Sequence, residues 1–336
     1  MRCVIHIGTE KTGSTTLQRT LRDNRPLLEK NGILFSRAAG EQLSRDLAEC
    51  FIPFDSQNAY IRQRSIDDPA KYTEWQLGKL SAVREEIANA KRTLHTYILS
   101  CEHFSSELRS SESVERLANF LQDEFSEVTV VCYLRRQDSL AVSRINENLK
   151  AGFTIMELPS ISSSAALPKL YNYADLLDRW ASCFGRDKVC VRLFEPDRLI
   201  NGNVVADFVG SALLGALELP LGRHENISLD ATGQLALKMF NVGLGEELRR
   251  QTAPLRRKLI KYLAAESSNN PYRPSRASAL AFYEHFKVGN GDIAKNWFGE
   301  TLLFHENFDS YEEHPTEPDN AAASALLGNF FLNLYR

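Results

Sequence analysis

The feature that most constrains the fold lies within the first eighteen residues. An apolar run, CVIHIG at 3–8, ends in glycine, and the following TEKTGSTTLQ at 9–18 passes through a second glycine into helical spacing. From Ser14 to Asn31, Leu17, Leu21, Leu27 and Leu28 recur on one side. A strand, a tight turn and a helix in that order gather unpaired backbone N–H groups and a helix N-terminus around one small space. Such an arrangement binds phosphate or sulfate. Gly8 and Gly13 permit positive φ and close approach of the backbone, with Thr9 beside the first of them. Thr12, Ser14, Thr15 and Thr16 offer hydroxyls, and Lys11 offers a charge within the turn.

Four further short apolar runs read as strands: ILFS at 33–36, TYILSC at 96–101, VTVVCYL at 128–134 and KVCVRLF at 188–194. Helical patterns lie between them, notably Val114 to Phe125 and Asp175 to Phe184. This alternation predicts an α/β fold, a doubly wound and mainly parallel five-stranded sheet flanked by helices. The core spans residues 1–37 and 96–200 of one domain covering 1–336. Residues 38–95, with Phe51, Phe54, Tyr60, Tyr72 and Trp75, read as a mainly helical insertion able to carry acceptor contacts. Residues 201–336 read as helical, interrupted by the turn-prone SSNNPYRPS at 267–275.

A nucleotide kinase or ATPase loop follows GxxxxGK[ST], with lysine immediately after the second glycine and a hydroxyl next to hold magnesium. Here Ser14 stands in the lysine's place, and Lys11 lies two positions before Gly13. The KTGSTTLQ segment instead resembles the 5'-phosphosulfate loop of the sulfotransferase superfamily, where a Lys precedes a small-residue turn and hydroxyls. A second match follows the fourth strand: in VVCYLRRQDSLAVS at 130–143, Arg135 ends the strand and Ser143 comes eight residues later. This resembles the superfamily's 3'-phosphate motif, where such an Arg and Ser hold that phosphate together. An Arg fork suits a phosphate dianion.

The resemblance implies a P-loop-like sulfotransferase that takes its sulfuryl group from 3'-phosphoadenosine 5'-phosphosulfate (PAPS), releases 3'-phosphoadenosine 5'-phosphate (PAP) and needs no metal. The acceptor would be a small molecule or a glycan, with carbohydrate suggested by the likeness of RRQD and of RLFEPDRL at 192–199 to bacterial and carbohydrate sulfotransferases. Lys11 would stabilise charge on the leaving phosphate. The third strand ends in ILSCEHF, so either Glu102 or His103 could be the base; the superfamily's catalytic strand end aligns better with Glu102. Toward the C-terminus, FKVGNGDIAKNWFG at 286–299 is similar to a glycine-containing loop that closes over the nucleotide, making Lys287 and Gly289 donor-contact candidates. Arg273 and Arg276, on a polar loop, read as solvated. A P-loop nucleotide-dependent kinase and a non-catalytic nucleotide-binding module are the alternative readings.

Composition sets the outer bounds. A formal net charge of -3 and a pI near 6.2 argue against a general nucleic-acid partner, so any anion site must be local. No apolar stretch approaches the roughly 18 residues of a membrane span, and the first run starts too early for a signal peptide, so the protein is expected in the cytoplasm. Six cysteines without CxxC spacing predict neither disulfides nor a metal site. Asn226-Ile227-Ser228 matches a glycosylation sequon, to which no weight attaches without an export signal.

Overall fold

The computed structural model describes residues 1–161, 167, 169–212, 217–221, 229–245, 248–268 and 270–334; the 226–228 sequon lies outside them. Five strands form one parallel sheet: β1 (Arg2–Gly8), β2 (Ile33–Phe35), β3 (Thr96–Ser100), β4 (Glu127–Leu134) and β5 (Val189–Leu193), in the order β2-β3-β1-β4-β5. The helices in chain order begin with α1 (Ser14–Asp23), α2 (Arg25–Lys30), α3 (Arg45–Glu49), α4 (Ala59–Arg62) and α5 (Pro69–Ala90). Next come α6 (His103–Glu107), α7 (Ser111–Glu124), α8 (Gln137–Ala151), α9 (Tyr173–Phe184) and α10 (Val204–Ser211). The last are α11 (Ala231–Leu244), α12 (Ala253–Ala265), α13 (Arg276–Glu284), α14 (Lys287–Ile293) and α15 (Asn320–Leu334). The chain divides into two compact units: Met1–Arg135 with Lys169–Arg223 and Asn296–Gly299, and Arg136–Pro168 with His224–Lys295 and Glu300–Arg336. No described helix is long and apolar enough to cross a membrane.

In the first unit, strand side chains alternate between two covered faces. Val4, Ile98, Val131 and Tyr133 share a core with Leu17 and Leu21 of α1, Leu28 of α2 and Phe208 of α10. The opposite face is covered by α7 and α9, where Trp180, fully buried, stacks on Phe184 at 5.4 Å. Helices on both faces make the doubly wound sheet that the strand–helix alternation predicts.

The 14–31 pattern, read as one helix, is two. Pro26 sits in the first turn of α2, and its ring and missing N–H cannot be accommodated inside a continuous helix. Asn24 marks the break, its side-chain amide donating to the Thr20 carbonyl at 2.9 Å.

The insertion is helical, and its aromatics form its own small core: Phe54, Tyr60 and Trp75 pack around Ile61, Ile66 and Tyr72. An ionic cluster ties it together. Asp46 accepts from Tyr60 Oη at 2.5 Å, from Arg64 at 3.1 Å and from Lys79 at 2.7 Å. Burial alone would raise the Asp46 carboxyl, but these donors together hold it below its ordinary value.

The second unit is helical. Ile145 and Leu149 of α8 pack with Leu237 and Phe240 of α11, Leu259 and Leu263 of α12, and Ala323 and Phe330 of α15.

His6, on β1, is fully buried, with Nδ1 2.7 Å from Ser100 Oγ and its ring edge-on to Tyr133 and Phe208. Burial pushes its imidazole down to about 3. The unfolded chain therefore takes up a proton below the ordinary histidine value near 6.5, whereas the folded chain does so only near 3, and stability is lost as pH falls through that window. Urea unfolding at pH 7 and pH 4.5 should show a smaller drop in midpoint for His6→Asn than for the wild-type protein.

Candidate functional site

The site is built where β1 runs out. The β1–β4 register shifts between His6 and Gly8, so the backbone leaves the ladder and turns. Thr9 then re-engages β4, its N–H and its hydroxyl both donating to the Tyr133 carbonyl at 2.8 and 3.0 Å. Thr12 closes the turn by donating from Oγ1 to the Thr9 carbonyl at 2.6 Å. Three residues take the left-handed region, Gly8 (φ 91°), Lys11 (φ 60°) and Gly13 (φ 77°). Gly13 is the N-cap of α1, and the Leu17 N–H bonds its carbonyl at 3.0 Å. The N–H groups of Ser14, Thr15 and Thr16 precede that bond, so no carbonyl lies below them in the helix.

This cradle fits an anion such as a phosphate or sulfate. A side chain at Gly13 would meet Val204 Cγ1 at 2.9 Å and Phe194 at 3.2 Å, and one at Gly8 would lie 3.1 Å from Cα and Cβ of Glu102. Positive φ favours glycine at both positions, and at Gly13 the close approach of Val204 adds to it.

Arg135 follows the last residue of β4, and its Nη1 donates to the Lys11 carbonyl at 2.9 Å, with the guanidinium 5.8 Å from the Phe194 ring. The Arg135 carbonyl accepts from Tyr173 Oη at 2.6 Å. Two segments singled out separately in the sequence thus meet directly within the first unit. Ser143 lies half-buried on α8, in the other unit.

Glu102 leaves β3 as the N-cap of α6, with its carbonyl accepting from Ser105 Oγ at 2.8 Å and from the Ser105 and Ser106 N–H groups at 3.1 and 3.2 Å. Its Oε2 accepts from Gln18 Nε2 at 2.8 Å. His103 Nδ1 is buried and has no hydrogen-bond partner among the described residues. Burial, followed by the Arg45 guanidinium, pushes the His103 imidazole down to about 4, against an opposing pull from Glu10. A narrow pocket beside the turn is lined by Thr9, Glu10, Ser106, Arg109, Lys169 and Arg179.

Gln18 was not singled out from the sequence. Its signal is an amide one turn after Ser14 on the side of α1 that carries Leu17 and Leu21, and it is 5% exposed.

The 286–299 segment differs from expectation. It is not a loop but helix α14, and Lys287 bonds Glu284 at 2.8 Å and lies 3.4 Å from Glu306. The glycines are tolerated there because the buried Asn290 exchanges two amide bonds with Gln137, at 2.7 and 3.0 Å, and Ile293 is buried. A side chain at Gly289 would meet nothing within 4 Å. Trp297 carries the Arg186 guanidinium 3.8 Å above its ring. Arg273 and Arg276 are engaged, donating to the carbonyls of Ser310 and Tyr311.

No family model matches the chain. An uncharacterised protein of Archaeoglobus fulgidus is 26% identical over 208 residues, 59% of this chain and 54% of that protein, so the match spans about half of the relative's length. Among solved structures, a sulfotransferase from Alicyclobacillus acidocaldarius is similar with a TM-score of 0.39 and 17% identity, over 76% of this chain and 98% of that one. A chain of the PezAT chromosomal toxin–antitoxin system of Streptococcus pneumoniae is similar with a TM-score of 0.32 and 10% identity, over 78% and 86%.

The turn predicts its own fragility. Gly13→Ala combines a positive φ with overpacking against Val204, and should cost about 2–4 kcal/mol in urea-unfolding stability. An unchanged midpoint would mean that the turn relaxes at no cost.

Proposed function

We propose that this protein is a sulfotransferase that moves a sulfuryl group from PAPS to an acceptor hydroxyl or amine, on a carbohydrate. The observation that supports the reading is the bond from the Arg135 guanidinium to the Lys11 carbonyl, which joins the strand-end arginine to the glycine turn after β1. An ATP enzyme has no 3'-phosphate for such an arginine to meet, and Ser14 replaces the lysine its loop would carry.

In this reading the N–H groups of Ser14 to Thr16, with the hydroxyls of Thr12 and Ser14, hold the 5' end of the donor. Arg135 takes the 3'-phosphate, and the resemblance of the 130–143 segment implies the same phosphate for Ser143. Glu102 accepts the proton of the acceptor hydroxyl as its oxygen bonds to sulfur. The bridging S–O bond breaks and its electron pair leaves on the 5'-phosphate oxygen of PAP, where Lys11 offsets the charge. His103 is the alternative base.

The deciding measurement is a thermal shift with PAP against ADP and ATP with magnesium. A ligand at about 100 times its Kd adds about 2.7 kcal/mol to the folded state, so PAP should raise the unfolding temperature while the others do not. Stabilisation by ATP and magnesium alone would make the chain a nucleotide kinase instead. Binding of PAP without transfer to any acceptor would leave a binding module.

Arg135→Ala should weaken PAPS at least about tenfold while changing adenosine 5'-phosphosulfate, which lacks the 3'-phosphate, less than about threefold. Calorimetric titration of both ligands separates these outcomes, and equal losses would remove Arg135 from the 3' end.

A further inference from the structure

Glu102 is held from three directions. Its main chain is fixed by the α6 bonds to its carbonyl and by the neighbouring Cys101 N–H, which donates to the His6 carbonyl at 3.0 Å. Its Cα and Cβ sit over Gly8, 3.1 Å from where a side chain on that glycine would begin. The third hold is the Gln18 amide on Oε2. An ionised carboxylate only accepts hydrogen bonds, so the amide must present its NH₂, and a bond to Oε2 leaves Oε1 with its lone pairs for another donor. Gln18 is itself locked, buried on α1 one turn beyond Ser14, the first residue of the helix whose N-terminus forms the anion cradle.

We infer that Gln18 is a positioning residue, orienting the Glu102 carboxylate toward the acceptor and coupling its geometry to the helix that holds the donor. The inference rests on the proposed sulfuryl transfer with Glu102 as base. Gln18 touches neither reactant in this scheme. It removes the rotamer freedom that a glutamate side chain otherwise retains, so the base is in place before the acceptor arrives.

The test is a double-mutant cycle on the full chain with Gln18→Met, which keeps length and loses the amide, and Glu102→Gln. Turnover of radiolabelled PAPS is followed with water and with a panel of mono- and disaccharides as acceptors; PAP affinity and unfolding temperature are measured in parallel. Gln18→Met should lower kcat about tenfold with PAP affinity within about twofold of wild type, and Glu102→Gln about a hundredfold. The double variant should be no slower than Glu102→Gln alone, because Gln18 has nothing left to orient. Losses that multiply to about a thousandfold, a Gln18→Met enzyme at wild-type rate, or a loss of PAP affinity matching the loss of rate would each overturn the inference while leaving the transfer reading intact. Wild-type protein that binds PAP but turns over PAPS with no acceptor, water included, overturns the transfer reading and the inference with it.

Discussion

Everything at the carboxyl edge of the sheet depends on how the turn after β1 is tied to β4. Two consecutive attachments do it: the Tyr133 carbonyl accepts twice from Thr9, and the Lys11 carbonyl accepts from Arg135. Between them, the turn can hold a non-glycine residue, Lys11, at positive φ, a conformation that costs about 1–2 kcal/mol and persists only when its surroundings fix it. The same strand end is anchored from below, where Tyr133 Oη donates to Asp207 at 2.8 Å and the buried Asp207 pairs with Arg192 of β5. The anion cradle is thus a consequence of strand packing. Its amides are fixed by the fold itself, the condition under which backbone dipoles can meet an anion without reorganisation. A formal net charge of -3 leaves room for a local anion site, because backbone dipoles and single cations act over short range.

How much of this was legible in the sequence depended on the range of the interaction. The five strands and the turn could be read because each is a local pattern: an apolar run, a glycine with no alternative, a helix beginning at Ser14. Pro26 and Asn24 were equally local, yet the regular leucine spacing masked the break they impose. The helix α14 was not legible, since two glycines in seven residues argue against a helix and what sustains it is Asn290 paired with Gln137, 153 residues away. Gln18 escaped for the same reason. A buried glutamine acquires meaning only through its partner, and Glu102 lies 84 residues further along the chain.

Adjacent arginines show how position divides labour between like side chains. Arg135 turns its guanidinium to the loop. Arg136, one residue on and in the other unit, grips the buried Asp138 through two bonds at 2.7 and 3.0 Å and caps the carbonyls of His305 and Asn307 at 2.7 and 2.6 Å. Tyr311 Oη adds a bond to Asp138 at 2.6 Å. Removing one member of such a buried, charged network leaves its partners desolvated and unpaired. With Gln137 bonded to Asn290, three of the four residues of the RRQD motif are engaged by contacts within the second unit, and only Arg135 turns to the loop.

The choice of an amide to hold Glu102 has a chemical logic of its own. A lysine or arginine in the place of Gln18 would orient the carboxylate just as firmly, but its charge would stabilise the ionised form and weaken it as a proton acceptor. An amide orients with a neutral dipole and leaves more of the basicity intact. The histidines nearby are handled in the opposite way. His6 on β1 and His103 at the start of α6 are both pushed down by burial, to about 3 and about 4, so neither carries a charge at neutral pH. Arg45 acts on the His103 imidazole, and Arg109, Lys169 and Arg179 line the pocket beside the turn, so the cations around this strand edge come from several elements of the first unit.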